Sequence, residues 1–264
     1  MVLLSFDIEE FDMPFEYGKQ IDFADQIAIS RAGTISILDL LDEYQVKATF
    51  FCTVTFAENI PDLIERIIKS GHELASHGYY HSDFKPAHLL QSKLKLEELS
   101  GTSILGYRMA RMMPVDENEV KKAGYVYNTS INPTYLPGRY NNFNISRTYF
   151  NKNEVLQIPA SVSPLVRFPL FWLSFHNLPL GIYKWLANIT YKKDGYLNIY
   201  FHPWEFTDLS DVNRFGFPAY VRKNTGPKMI DRMDHFIAWI KQKNYPFGTF
   251  KDFINITDSR KTNM

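Results

Sequence analysis

The chain of 264 residues contains one cysteine, Cys52, and that scarcity excludes an intramolecular disulfide framework. Charge of one sign is also missing. The 29 basic and 29 acidic side chains cancel, which removes the electrostatic footprint of a nucleic-acid binder and favours a neutral or weakly charged partner. No stretch combines low hydrophobicity with high net charge, so nothing reads as disordered. The opening run, residues 2–6, leads into Asp7, Glu9 and Glu10 without the basic start and cleavage site of a signal peptide. With the lone cysteine, this points to a cytoplasmic protein. A long apolar run is absent too, because Pro169, His176, Pro179 and Lys184 interrupt the aromatic-rich stretch 168–189 well short of a membrane span. That stretch reads as a buried or half-buried helix after a proline-rich turn, or as a greasy lip for a lipid-linked substrate or a membrane surface. The oligomeric state stays open.

What is present alternates short β-branched or aromatic runs with helix-period segments, the pattern of β-α units. Strand signals fall at residues 2–6, 47–52, 72–76, 103–107, 126–128, 154–158, 196–201 and 246–250, about as many as a parallel barrel needs. The clearest helix places Ile60, Leu63, Ile64, Ile67 and Ile68 at i, i+3, i+4, i+7 and i+8, with Pro61 in its first turn and Gly71 at its stop. Others are expected over 31–44 and 228–242, the latter with Met229, Met233, Phe236, Ile237 and Ile240 on one face. No repeat, low-complexity tract or linker divides the chain, so residues 1–264 are expected to form one α/β domain.

Polar clusters fall where the predicted strands end, which in a parallel barrel is where side chains converge on a ligand. Asp7 and Glu9 follow the first strand, His77 and His81 the third, Arg108 the fourth, and His202 the strand over 196–201. Singly, each also suits an ordinary surface role. Jointly, they place an acidic pair, three histidines and an arginine on one rim.

The runs FDIEE at 6–10, ATFF at 48–51, GHELASHGYYH at 71–81, GYR at 106–108 and FHPWEF at 201–206 resemble, in order and spacing, the successive motifs of the polysaccharide deacetylases, the NodB-like family. The resemblance implies a distorted (β/α) barrel of seven to eight strands whose closing strand is the GTFKDF segment. It implies Asp7 as catalytic base, His202 as catalytic acid and Arg108 as the arginine that orients the base. It also implies a divalent ion, zinc foremost, on Glu9, His77 and His81. The chemistry agrees from below: amide hydrolysis needs an activated water, a site for the developing oxyanion and a proton for the departing amine.

Two departures stand out. Relatives carry adjacent aspartates where Ile8 separates Asp7 from Glu9, and they show a proline and an aromatic residue where this chain has Met109, Ala110 and Arg111. The segment 127–140 resembles a subgroup acting in surface-polysaccharide assembly. Within and around it, Tyr80, Arg111, Asn128, Asn132, Tyr135, Arg139 and Trp204 are the candidate contacts to an N-acetylated sugar. The implied activity is metal-dependent deacetylation of an amino sugar in a surface polysaccharide or its precursor. A metal-independent ureide or amide hydrolase on the same barrel, and a non-catalytic carbohydrate-binding relative, are the alternatives.

Overall fold

The computed structural model describes residues 1–262, with side chains through Thr257. In chain order the elements are β1 (Val2–Ile8), α1 (Phe23–Tyr44), β2 (Thr49–Cys52), α2 (Val54–Asn59), α3 (Pro61–Lys69), β3 (Glu73–Ser76), α4 (Ala87–Ser100), β4 (Gly106–Tyr107) and α5 (Glu117–Lys122). Then come β5 (Tyr127–Asn128), β6 (Tyr135–Leu136), β7 (Tyr140–Asn141), β8 (Phe150–Lys152), β9 (Val155–Gln157), α6 (Trp172–Asn177) and α7 (Leu180–Asp194). The rest is β10 (Leu197–Phe201), α8 (Val212–Phe215), α9 (Ala219–Arg222), α10 (Pro227–Gln242) and α11 (Phe250–Thr262). One eight-stranded sheet runs β10-β1-β2-β3-β4-β5-β9-β8, parallel except where β8 joins β9. It curls into the expected distorted (β/α) barrel, and β6 and β7 form a separate hairpin.

Strand periodicity of two sorts the side chains between two cores. Leu4, Phe6 and Ile8 of β1, Phe50 and Cys52 of β2, and Leu197, Ile199 and Phe201 of β10 join the large cluster that meets the helices. The alternate positions, among them Leu3, Phe51, Ala75, Tyr127 and Leu156, fill the barrel interior. The interior set continues as Asp7 near the end of β1 and, just past the ends of β3, β4 and β10, as His77, Arg108 and His202, so the same alternation that builds the core aims these side chains at one mouth. The barrel's open side, between β9 and β10, is laced rather than laddered. Asn198 Nδ2 donates to the carbonyls of Ile158 and Pro159 and to Thr129 Oγ1, and the Asn198 amide donates to Ser161 Oγ at 2.9 Å.

The expected last strand over 246–250 is not one. Phe247 makes a single bridge to Val2, and the chain turns into α11 at Phe250. Thr249 and Asp252 exchange hydrogen bonds, Thr249 N–H donating to Asp252 Oδ2 and Asp252 N–H to Thr249 Oγ1, a capping box that starts a helix. The helix then plugs the far mouth of the barrel. Phe250 stacks on Tyr127 with ring centroids 5.2 Å apart and meets the Phe51 edge at 5.5 Å. The stretch 168–189 is likewise two helices, α6 and α7, broken at Leu178 and Pro179.

One close approach fixes the site's far wall. Gly33 of α1 lies against the turn that carries His202, and a β-carbon there would stand 1.8 Å from the Pro203 carbonyl oxygen. Backbone meets backbone, so neither side can yield by changing a rotamer. Gly33→Ala is expected to cost at least ~3 kcal/mol, at the upper end of overpacking penalties, and to lower the Tm by several degrees in a thermal melt. A Tm unchanged within a degree would remove this contact as a determinant of the fold.

Candidate active site

At the mouth of the barrel, Glu9 lies between two imidazoles. Its Oε2 is 3.0 Å from His77 Nε2 and 3.1 Å from His81 Nε2, all three residues are buried, and the three candidate ligand atoms lie within 4.8 Å of one another. Glu9 Oε2 nevertheless has no directed hydrogen bond among the described residues. An oxygen and two ring nitrogens crowding one point is the donor set of a divalent cation such as zinc. The outer contacts suit that role. His81 Nδ1 is held 2.7 Å from Asp12 Oδ1, which fixes the ring and leaves Nε2 inward. Glu10 ties the same loop down, its Oε1 accepting from the His81 amide at 2.9 Å and its Oε2 from Thr53 Oγ1 at 2.6 Å.

The charges within this group balance one another. Burial acts to raise the Glu9 carboxyl, but His81, His77 and His202 outweigh it and hold it at about 2. Burial acts to lower the His81 imidazole, and Glu9 and Asp12 overcome that to raise it to about 9 in the absence of an ion.

Beside the cluster sit Asp7 and Arg108. The fully buried Arg108 donates from Nη1 to Asp7 Oδ1 at 2.5 Å and from Nη2 to Ser5 Oγ at 2.9 Å, and its guanidinium lies 4.0 Å above the centre of the Phe51 ring. This grip occupies one Asp7 oxygen. The other, Oδ2, is 3.9 Å from His202 Nε2. His202 is itself held from behind, because Glu205 Oε1 accepts from the His202 amide at 2.6 Å and lies 2.9 Å from its Nδ1. Glu205 Oε2 lies 2.7 Å from Nε2 of the fully buried His176. Trp204 stacks on the His202 ring at 4.8 Å, and Trp172 meets its edge at 5.6 Å. Burial favours neutral His202, yet Glu205, Glu9 and Asp7 together raise its pKa above the usual imidazole value. A carboxylate and a proton-bearing imidazole thus face each other over a cavity of about 260 Å³, with the Glu9 cluster alongside.

Residues 3–107 match the family model described as polysaccharide deacetylase. That matched stretch holds Asp7, Glu9, His77 and His81 and ends one residue before Arg108. Among curated relatives, a chitooligosaccharide deacetylase from Bradyrhizobium is 44% identical over 50 residues, 19% of this chain and 23% of that protein. A peptidoglycan-N-acetylglucosamine deacetylase from Bacillus cereus is 35% identical over 72 residues, 27% of this chain and 22% of that one. The matched segments therefore span about a quarter of the length of the curated relatives. Among solved structures, a probable polysaccharide deacetylase from Pseudomonas aeruginosa aligns with a TM-score of 0.67 at 16% identity, over 95% of this chain and 88% of that one. The Puue allantoinase aligns with a TM-score of 0.62 at 19% identity, over 91% and 84%. At those identities the alignments speak to the fold.

The further candidate residues divide by position. Arg111, Asn132, Arg139 and Trp204 line the same cavity as Asp7, Glu9 and His202. Asn132 donates to the hydroxyls of Tyr140 and Tyr200, both at 3.0 Å, and its buried Oδ1 has no partner among the described residues. Arg111 is spent on the rim: its Nε donates to Glu16 at 2.6 Å, and its other nitrogens reach Asp12 and the His81 carbonyl. It does so from a left-handed backbone, φ 55°, followed by Met112 at φ 52°. Consecutive non-glycine residues there are strained, and the network over Asp12 is what holds them. Three candidates lie elsewhere. Asn128 is buried on the opposite face of β5, its Nδ2 donating to Gln157 Oε1 at 2.9 Å, because strand alternation gives the interior to Tyr127 and Thr129 instead. Tyr80 packs on Tyr79 and His88 outside the mouth, and Tyr135 sits on the exposed hairpin beside Phe143. The supporting residues Asp12, Glu205 and His176 had no assignment from sequence, although Glu205 lies inside the FHPWEF motif.

Proposed function

We propose that this chain hydrolyses the N-acetyl amide of an amino sugar belonging to a surface polysaccharide or its precursor, with zinc on Glu9, His77 and His81. The observation that carries the reading is the opposition of Asp7 Oδ2 and His202 Nε2, 3.9 Å apart, beside a three-ligand cluster. A divalent cation on that cluster supplies Lewis-acid polarisation and activation of water. Asp7, with Oδ1 fixed by Arg108, offers Oδ2 to take a proton from the attacking water. His202, with Nδ1 fixed by Glu205, presents a protonated Nε2 to the departing amine nitrogen. Asn132, Tyr140 and Trp172 surround the sugar with planar polar groups and an aromatic face.

The test is acetate release from N-acetylated oligosaccharides by the purified protein. Chelation should abolish it and zinc should restore it; activity that survives chelation would favour the metal-independent hydrolase instead. The role of His202 carries its own expectation. Because Glu205 raises its pKa, the acid form persists to higher pH than in an ordinary imidazole, and Glu205→Gln should move the alkaline limb of kcat/KM to lower pH. Turnover at alkaline pH should fall, by less than the ~10²-fold loss expected from removing a general acid outright, with less effect below pH 6. A uniform loss at all pH values would make Glu205 a purely structural residue.

A further inference from the structure

Next to the active-site cavity runs a second depression with different chemistry. It shares Leu136, Phe171, Leu173 and Tyr220 with the cavity, so the two are continuous. Away from the site its walls are Phe143, Val166 and Phe168. Val166 is 74% exposed and its neighbour Leu165 is 95% exposed, side chains that a free surface gains nothing by displaying. Thr134, Arg167 and Asn177 along the groove have their polar atoms tied to backbone carbonyls. Thr134 Oγ1 donates to the Arg167 carbonyl at 2.7 Å, Arg167 donates to the carbonyls of Pro133 and Ile145, and Asn177 donates to those of Leu173 and Tyr220. What the groove offers is apolar contact.

We infer that the groove receives a hydrocarbon chain carried on the reducing end of the amino sugar, so that the substrate class is a glycolipid rather than a free polysaccharide. The inference rests on the deacetylase reading for the position of the sugar. The amide end of the substrate is fixed at Asp7 and His202, where Arg108, Trp204 and Tyr200 close the floor at 0%, 2% and 4% exposure. No space lies beyond that floor for a long acyl group. A chain leaving toward Leu136 and Tyr220 therefore starts from the sugar and not from its acyl group; because the groove begins at residues that line the cavity itself, the anomeric oxygen, on the ring carbon next to the one bearing the amide, has the short route into it, and the exposed Val166 sets no limit on the chain's length.

The experiment compares the methyl and octyl β-glycosides of N-acetylglucosamine with the methyl glycoside of N-octanoylglucosamine. All are kept below micellar concentration and titrated by calorimetry into the zinc-supplemented protein, with acetate release followed in parallel. The octyl glycoside is expected to bind at least tenfold more tightly than the methyl glycoside, and the double substitution Phe143→Ser, Val166→Ser should reduce that ratio below threefold. Equal binding of the two glycosides overturns the inference, as does an equal gain from the N-octanoyl compound. Sedimentation velocity gives a third outcome: a dimer of the wild type that the double substitution dissociates makes the groove a contact between copies, which also overturns it. The two readings fail separately. Tight octyl binding without acetate release from either acetylated glycoside sinks the deacetylase and keeps the groove, whereas acetate release from both with no preference does the reverse.

Discussion

Replacing Asp7 by asparagine is expected to lower kcat by about 10³–10⁴-fold, the scale on which general bases act, while binding of the acetylated sugar stays measurable. The argument is geometric. Asparagine keeps the shape and can still accept the Arg108 bond through its amide oxygen, but the group facing His202 becomes a donor that cannot take a proton from water. A second consequence follows from burial. Arg108 is 0% exposed, and its guanidinium would lose its counter-charge in a place water does not reach. Breaking a buried pair from one side costs about 3–5 kcal/mol, so the melting temperature should fall as well. The two effects separate because kcat is compared at a temperature where both proteins are fully folded by circular dichroism. Retention of more than a tenth of the activity would remove Asp7 from the base role. If wild type and variant release equally negligible acetate from every glycan tried, the carbohydrate-binding alternative gains the site.

Much of this arrangement is legible in the sequence once strand periodicity is applied without exception. Ile8 looks like an interruption between two carboxylates. It is a core residue of the outer face, and the Asp-x-Glu spacing it creates returns Glu9 to the side of the strand that Asp7 occupies. The same parity places Asn128 on the face away from the cavity, since Tyr127 and Asn128 cannot both point inward. The helix at Phe250 was also marked, by Thr249 and Asp252 at capping-box spacing, but its aromatic and β-branched flank reads equally as a strand. Other features depend on contacts distant in the chain. Nothing local says that His176 meets Glu205, that Arg111 adopts a left-handed backbone to reach Asp12, or that a glycine in α1 must clear the His202 turn. The division between the cavity and Tyr135 belongs to the hairpin's path, which two-residue strands do not encode.

Zinc affinity should depend steeply on pH, and the direction follows from His81. Without an ion, its imidazole is raised to about 9 by Glu9 and Asp12, so at neutral pH the apo site holds a proton on the nitrogen a cation needs. Binding must expel that proton, and a competition of this kind weakens apparent affinity about tenfold per pH unit below the ligand's pKa. Between pH 8 and pH 6 the apparent Kd is therefore expected to rise up to ~100-fold, with about one proton released per zinc bound in calorimetry run in two buffers of different ionisation enthalpy. Chelated protein should show the opposite dependence in its own stability. A pKa raised from 6.5 to about 9 contributes stability that is fully present below pH 6.5 and is lost as pH rises through 9, so the apo form should melt at progressively lower temperature across that window. Glu9 does not blur the test, because its carboxyl, held at about 2, stays ionised throughout. His81→Ala should abolish both pH dependences together and leave less than a tenth of the wild-type zinc content after gel filtration. A pH-independent Kd in the wild type, or full zinc content in the variant, would mean that the ion is not held by this histidine.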